Sequence, residues 1–198
     1  MNRTVAFLDI LGFRSLVETE PTDTLGERFD KIVGDTLPAM NRKSWEFSGE
    51  PTLFPDASVG EDWCIAHAFS DSIILIAKDD SERGCLALLI YALRVTQSLI
   101  AFGLPVRGGV AHGDLYIGKK RSIVVGKALT RAHDLEQRQN WIGVAVDTSV
   151  PIAFPCLFGE NGAFAEIRKC LFPQYEVPMK SGPIRVLHTL NWRWNLVV

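Results

Sequence analysis

Two aspartates interrupt stretches of the chain that otherwise have the composition of buried β-strands. Asp9 lies within residues 5–13, VAFLDILGF, and Asp71 lies within residues 68–76, AFSDSIILI. A carboxylate at the end of a buried strand costs several kcal/mol unless a cation meets it. The two aspartates together therefore indicate a shared metal site.

Each aspartate taken alone also has a simpler interpretation. Asp9 could cap the helix that is expected to begin near Phe13, and Asp71 could form an ordinary hairpin turn. We favour the metal site because both residues stand beside an apolar strand. Carboxylates are hard oxygen ligands suited to Mg²⁺ or Mn²⁺, and the Ile10 carbonyl is a further candidate ligand.

Length and composition predict one globular domain over residues 1–198, because 198 residues with 47% hydrophobic content fill one core and are short for two. A net charge of −2 gives no positive field that would recruit nucleic acid or an acidic membrane. The N-terminus lacks the pattern of a signal peptide, and the apolar stretch 85–93 is too short to span a bilayer. The cysteines show no CxxC pair and no metal-ligand spacing, which is typical of reduced thiols in a cytoplasmic protein.

Strands and helices alternate along the chain, so we expect an α/β sandwich with helices packed on a mixed sheet. Residues 44–63 contain Pro and Gly without any period and predict a long loop insertion, either disordered or functional. The expected strands are 4–10, 64–70, 72–77, 105–117 and 144–146, with more in the tail around 177–183, and the expected helices begin near Phe13 and cover 24–40, about 82–103 and about 127–141.

Glycine marks two places where the backbone needs room. Gly12 allows a tight turn from the first strand into the following helix, which would place the amides of residues 10–13 beside Asp9 as an anion site. Gly108, Gly109 and Gly113 within the strand 105–117 indicate a close neighbour or a ligand on one side of that strand.

Four segments, in the same order along the chain, resemble the catalytic domain of class III nucleotidyl cyclases. They cover most of the chain, and their shared order makes the resemblance specific although any one of them would be weak alone. Residues 7–13 (FLDILGF) and 69–72 (FSDS) resemble the two metal-aspartate segments, residues 107–114 (RGGVAHGD) the Arg-x-Gly-Ile-x-x-Gly strand, and residues 126–136 the Gly-x-x-Val-Asn-x-Ala-x-x-Leu-Glu helix.

This resemblance implies the class III cyclase fold, a ferredoxin-like mixed sheet with helices packed on it. It also implies cyclisation of a nucleoside triphosphate by a homodimer with composite active sites, each holding two Mn²⁺ or Mg²⁺ ions on Asp9, Asp71 and the Ile10 carbonyl. The residues that it assigns to substrate binding are Phe13, His67, Arg107, Thr130 and Lys180. Arg107 could instead cover the sheet edge, Lys180 could be a solvated lysine, and His67 could have a structural role.

The chain departs from the purine cyclases of this family at the positions that read the base. The Lys expected four residues before the second metal aspartate is His67, and the acidic or Thr residue expected seven residues before the helix Asn is Ile123. The tail, with Val-Pro-x-Lys-x-Gly, adds to a pattern that most resembles the pyrimidine cyclases of bacterial Pycsar antiphage defence. That resemblance implies UTP or CTP as substrate, with UTP preferred, and a separate effector that senses the cyclic nucleotide.

A second departure concerns the Asn-x-x-x-Arg pair that steadies the transition state in the family. Thr130 and Asp134 stand at these two positions, so Arg131 or Arg138 on the same helix would have to supply the positive charge. We assign this catalytic role to Arg131, contributed by the second subunit.

Three functions of different classes therefore remain open. The chain could be an active pyrimidine cyclase, uridylate before cytidylate, or a degenerate cyclase domain that binds nucleotide as a sensor, for which Thr130 and Asp134 argue. It could also be a structural interaction domain, which would leave both aspartates unexplained. In the first case Trp45, Phe47 and Phe54 of the loop 44–63 could narrow the base pocket or stack on a small ring.

Overall fold

A computed structural model describes residues 1–35, 64–118, 123–159 and 165–193 of the chain. The predicted loop 44–63, with its three aromatic residues, lies outside the described residues, as does the end of the predicted helix 24–40.

Seven strands form one mixed sheet and two short strands form a separate hairpin. The sheet order is β2-β3-β1-β4-β7-β9-β8, in which β4 and β7 run parallel and the other neighbours antiparallel. The strands are β1 (Asn2–Ile10), β2 (Cys64–Phe69), β3 (Ser72–Ala77), β4 (Val106–Asp114), β5 (Tyr116–Ile117), β6 (Val124–Val125), β7 (Gly143–Val146), β8 (Gln174–Val177) and β9 (Arg185–Thr189).

Two longer helices and several short ones accompany the sheet. The helices are α1 (Phe13–Thr19), α2 (Thr22–Phe29), which continues as a π-helical segment Asp30–Asp35, α3 (Glu82–Ala101), α4 (Lys127–Arg138), α5 (Ser149–Ala153), α6 (Pro155–Phe158) and α7 (Ala165–Leu171). This is the mixed sheet with packed helices that the sequence predicts.

Helix α3 covers one face of the sheet. It begins at the N-cap Ser81, whose hydroxyl accepts a hydrogen bond from the Gly84 amide, and it buries its apolar side chains against Leu8, Ile10 and their neighbours on the adjoining strands. By length and composition this helix could also cross a membrane, but 72% of its most apolar window is buried inside the fold. It therefore serves as the core helix of the domain.

Helix α4 covers the opposite face, where Ala128, Ala132 and Leu135 are buried. Its backbone comes so close to β4 that a Cβ atom on Gly109 would clash with the carbonyl oxygen of Ala132. The close neighbour predicted from the glycines of this strand is thus a helix. The two covering helices leave the strand ends exposed, and the predicted metal aspartates lie at one of these ends.

Three local predictions differ from the structure. The helix expected over 24–40 is an α-helix only to Phe29, after which the π-helical segment places Ile32 fully in the core. The strand expected over 105–117 breaks at Leu115, whose amide donates to the Met1 carbonyl, and the hairpin β5–β6 follows. Helix α4 ends at Arg138, and the short helices α5, α6 and α7 were not expected from the sequence pattern.

Candidate active site

The structure brings the two aspartates of the sequence analysis together. Asp9 is the penultimate residue of β1 and lies opposite Ser72, the first residue of β3. The amide of Ile10 donates a hydrogen bond of 2.9 Å to the carbonyl oxygen of Asp71, which joins the end of β1 to the tip of the β2–β3 hairpin. Two carboxylates from distant parts of the sequence are therefore neighbours at one end of the strands β1 and β3.

Negative charge is in excess around Asp9. The pKa of Asp9 is raised from 3.8 to about 6, first by burial and then by the charges of Glu136 and Asp71, while Arg107 and His133 act in the opposite direction. The ionised carboxylate is therefore unfavourable in the metal-free protein. A divalent cation would reverse this balance, because it favours the charged form of every carboxylate that faces it.

The donor set fits a hard divalent cation. In the described part of the chain no group of three or more His, Cys, Asp or Glu side chains assembles into a metal centre. Two carboxylates suit Mg²⁺ or Mn²⁺ all the same, because Mg²⁺ is commonly held by one or two carboxylates with the remaining positions filled by water and substrate phosphates. The contribution of the Ile10 carbonyl stays a prediction.

Behind the aspartates lies an ion pair that the sequence analysis did not anticipate. Nε and Nη2 of Arg107 lie 2.6 Å and 2.5 Å from one oxygen of Glu136, whose side chain is 0% exposed. The other oxygen accepts a hydrogen bond of 2.8 Å from Gln137. Arg107 pairs with Asp9 across β1 and β4, so this guanidinium lies beside the site but is committed to Glu136. Phosphate binding by Arg107 stays a prediction.

The sequence did contain a signal for Glu136. It follows Ala132 by four residues, which places it on the inward stripe of an amphipathic helix where a lone charge is costly. A buried glutamate there requires a buried cation, and Arg107 is the arginine that faces it on the strand below.

His67 lies on the same face of the sheet as Asp9, one row further in. On this face His67 pairs with Ile74, and Ile74 pairs with Phe7, which precedes Asp9 by two residues. Its Nε2 atom is buried and has no hydrogen-bond partner in the described part of the protein. Base recognition by His67 stays a prediction.

The anion site expected at the start of α1 is smaller than predicted. The amides of Ile10 and Leu11 donate to the carbonyl oxygens of Asp71 and Pro105, which leaves those of Gly12 and Phe13. The Phe13 ring packs edge-to-face against Phe29 with 5.6 Å between ring centres. The prediction that all four amides of residues 10–13 could bind an anion is therefore wrong for two of them.

Arg131 and Thr130 lie away from the aspartates of their own chain. Arg131 is exposed, and its Nη1 donates at 3.4 Å to the carbonyl of His112, which pairs with Thr4 on β1. Thr4 and Asp9 are five positions apart, which corresponds to roughly 17 Å along a strand. The Thr130 hydroxyl donates to the Gly126 carbonyl at 3.2 Å within the helix.

Lys180 is exposed in the connection between β8 and β9. Its amide donates a hydrogen bond of 2.7 Å to the Arg138 carbonyl, which fastens this connection to the end of α4. The backbone of Lys180 thereby lies at the last turn of the helix that also carries Glu136. Triphosphate binding by Lys180 stays a prediction.

Two solved structures share this fold. One is the catalytic core of a rhodopsin-guanylyl cyclase with converted specificity in complex with ATPalphaS, with a TM-score of 0.62 and 13% identity over 96% of this chain and 94% of that chain. The other is an adenylate/guanylate cyclase/hydrolase from Silicibacter pomeroyi, with a TM-score of 0.54 and 15% identity over 96% of both chains. No family model matches the sequence, and no curated protein matches it significantly. The predicted cyclase-type fold is therefore confirmed, at identities that establish the fold alone.

Proposed function

We propose that this protein is a class III nucleotidyl cyclase. The observation that carries the proposal is the proximity of Asp9 and Asp71 at the ends of adjoining strands. The pKa of Asp9 is raised there to about 6 by burial and by neighbouring carboxylates. Such an arrangement is unfavourable for folding alone and favourable for holding divalent cations. The fold shared with two cyclases supports it.

In this proposal Asp9 and Asp71 hold two Mg²⁺ or Mn²⁺ ions, which would neutralise the triphosphate and acidify the 3′-hydroxyl of the ribose. The 3′-hydroxyl releases its proton to solvent and its oxygen bonds to the α-phosphorus, the bond from that phosphorus to the bridging oxygen breaks, and pyrophosphate leaves with the electron pair. Glu136 and Arg107 position Asp9, because their charges face it from the adjoining helix and strand.

The site would be completed by a second copy of the chain. Arg131 lies roughly 17 Å along the sheet from the aspartates of its own chain, so it would serve the site of its partner in a homodimer. Phe13, Thr130, Arg107 and Lys180 are the remaining residues that we propose to contact the substrate.

We further propose a pyrimidine substrate, UTP before CTP. The unpaired Nε2 of His67 supports this proposal, because a histidine ring nitrogen can donate or accept a hydrogen bond according to its tautomer. A histidine that donates would select the O4 carbonyl of uracil, and one that accepts would select the N4 amine of cytosine. A polar site of this kind rejects the wrong edge strongly, because its buried groups are then left unpaired.

One alternative has a specific observation in its favour. Asp134 is an exposed carboxylate at the position where the resemblance expects the transition-state arginine, and the Thr130 hydroxyl is engaged within the helix. A degenerate domain that binds nucleotide as a sensor would need neither group. Metal-dependent release of pyrophosphate separates the cyclase from this sensor.

The resemblance to the Pycsar cyclases extends the proposal to the cell. It implies a cytoplasmic enzyme whose cyclic UMP is a second messenger in antiphage defence and is sensed by a separate effector protein. Neither membrane insertion nor nucleic-acid binding belongs to this function.

The test is incubation of the purified protein with each of the four ribonucleoside triphosphates and Mn²⁺, with products identified by mass. We expect cyclic UMP as the main product, and no product from Asp71→Ala, which should remain folded. If no triphosphate is cyclised, the cyclase proposal fails. If ATP or GTP is cyclised with a kcat/KM equal to or above that of both pyrimidines, the pyrimidine assignment fails and the broader cyclase proposal stands.

A further inference from the structure

A cleft of about 120 Å³ lies between α4 and the strands β7 and β9, away from the aspartate site. We call it the arginine cleft, because three of its lining residues are Arg131, Arg138 and Arg185. Arg131 and Arg138 are seven residues apart and so lie on one stripe of α4, while Arg185 is the first residue of β9 and faces them. A cavity of this size has room for several water molecules.

None of these three arginines is paired within 4 Å with a carboxylate of the described residues. Arg131 donates a hydrogen bond to the His112 carbonyl. Three like charges around one cleft repel each other, and an anion would relieve that repulsion. Arginine is also the residue whose planar group best matches phosphate oxygens.

The cleft also contains two carboxylates, which do not cancel its positive charge. An oxygen of Asp147 accepts a hydrogen bond of 2.9 Å from the Ser149 amide at the start of α5. An oxygen of Asp134 lies 3.9 Å from Nδ1 of His133 on the adjacent position of the helix. Three arginines and two aspartates leave a net charge of about +1 in the cleft.

From this arrangement we propose that the arginine cleft is a binding site for a phosphate chain, separate from the aspartate site of the same chain. Two sources have this chemistry. One is the triphosphate of a nucleotide held by a second copy of the protein, which rests on the proposed function, and the other is free pyrophosphate. In both cases Arg138 and Arg185 bind the phosphate oxygens directly.

The first measurement is titration calorimetry of the full-length protein with inorganic pyrophosphate, without metal or nucleotide and at low salt. We expect Arg138→Gln and Arg185→Gln each to weaken binding about tenfold, the size of one charge-assisted hydrogen bond. Arg14→Gln is the matched control, because Arg14 is a 93% exposed arginine on α1, paired with Glu18 and absent from the cleft. The melting temperature of each variant shows that it is folded.

Asp9→Asn tests the separation of the two sites. Pyrophosphate should bind this variant as tightly as it binds the unmodified protein, since the aspartate lies outside the cleft. If the two cleft variants bind pyrophosphate normally, or if Arg14→Gln weakens binding as much as they do, the proposal is wrong. Loss of metal-free binding in Asp9→Asn would likewise overturn it.

A second measurement assigns the source of the phosphate chain. If it belongs to a nucleotide on the second copy, Arg185→Gln raises the KM for UTP; if it is free pyrophosphate, the KM is unchanged and inhibition by added pyrophosphate is weakened. Calorimetry needs no turnover. A protein that cyclises no nucleotide would therefore disprove the proposed function, while the pyrophosphate titration would still test the arginine cleft.

Discussion

Replacement of Asp9 by Asn should stabilise the metal-free protein at neutral pH. The pKa of Asp9 is raised by about two units, from 3.8 to about 6, mainly by burial. Two units correspond to about 3 kcal/mol, and solvent screening at this half-buried group reduces the figure to roughly 1–2 kcal/mol. For a chain of 198 residues this is a rise of about 2–8 °C in Tm.

The sign of the pH dependence follows from the direction of the shift. Because the folded protein holds the Asp9 proton more tightly than the unfolded chain, the protonated state favours folding below pH 4, and that advantage is lost as the pH rises through about 6. The stabilisation by Asp9→Asn should therefore be full at pH 7.5 and should disappear towards pH 4.

The assay is thermal unfolding of both proteins in chelator at several pH values between 4 and 8. Asp30→Asn is the control, since this exposed residue at the end of α2 lies far along the chain from the site and should change stability by less than about 0.5 kcal/mol. With Mn²⁺ at 100 times its Kd, the unmodified protein should gain about 2.7 kcal/mol and Asp9→Asn much less. An unchanged Tm at pH 7.5, or a gain of equal size at pH 4, would refute the electrostatic reasoning.

Three further predictions concern packing and assembly. Gly109→Ala should lower the free energy of unfolding by roughly 2–3 kcal/mol in denaturant titration, whereas Gly26→Ala, with nothing within 4 Å of its Cβ, should not lower it. Glu136→Gln leaves its buried arginine unpaired and should cost about 3–5 kcal/mol; a cost below 1 kcal/mol would contradict the buried ion pair. Asp9→Ala and Arg131→Ala, each inactive alone, should recover activity after subunit exchange, and demonstrated heterodimers without activity would exclude shared sites.

The parts of the site that lie within continuous apolar strands could be predicted from the sequence. Asp9 and Asp71 stand out because each interrupts a stretch whose burial is evident from composition, and the strands β1, β2 and β3 lie close to their expected positions. The core helix α3 could be predicted for the same reason, since a long apolar stripe follows a recognisable Ser81 cap.

The parts that the sequence did not reveal depend on contacts between distant residues. At the break, the Leu115 amide donates to the Met1 carbonyl, and Gly126 lies so close to the strand that a Cβ atom on it would clash with the Asp114 carbonyl oxygen. The charge balance around Asp9 depends on Glu136, which reaches it only because α4 packs across β1 and β4. For α6 a local signal was available, since Pro155 stands at its first turn.

Helix α4 carries two sets of charged residues that face different places, and this bears on how two copies could assemble. Its buried Glu136 holds Arg107 beside the aspartates of its own chain, while its exposed Arg131 lies roughly 17 Å along the sheet. Within one chain the two sets are therefore too far apart to meet at one phosphorus atom. A two-fold axis can, because an isologous contact that brings Arg131 of one copy to Asp9 of the other necessarily makes the reciprocal contact as well. Such a dimer would contain two equivalent sites, each with Arg107 from one copy and Arg131 from the other. Subunit exchange is therefore the decisive test of the assembly.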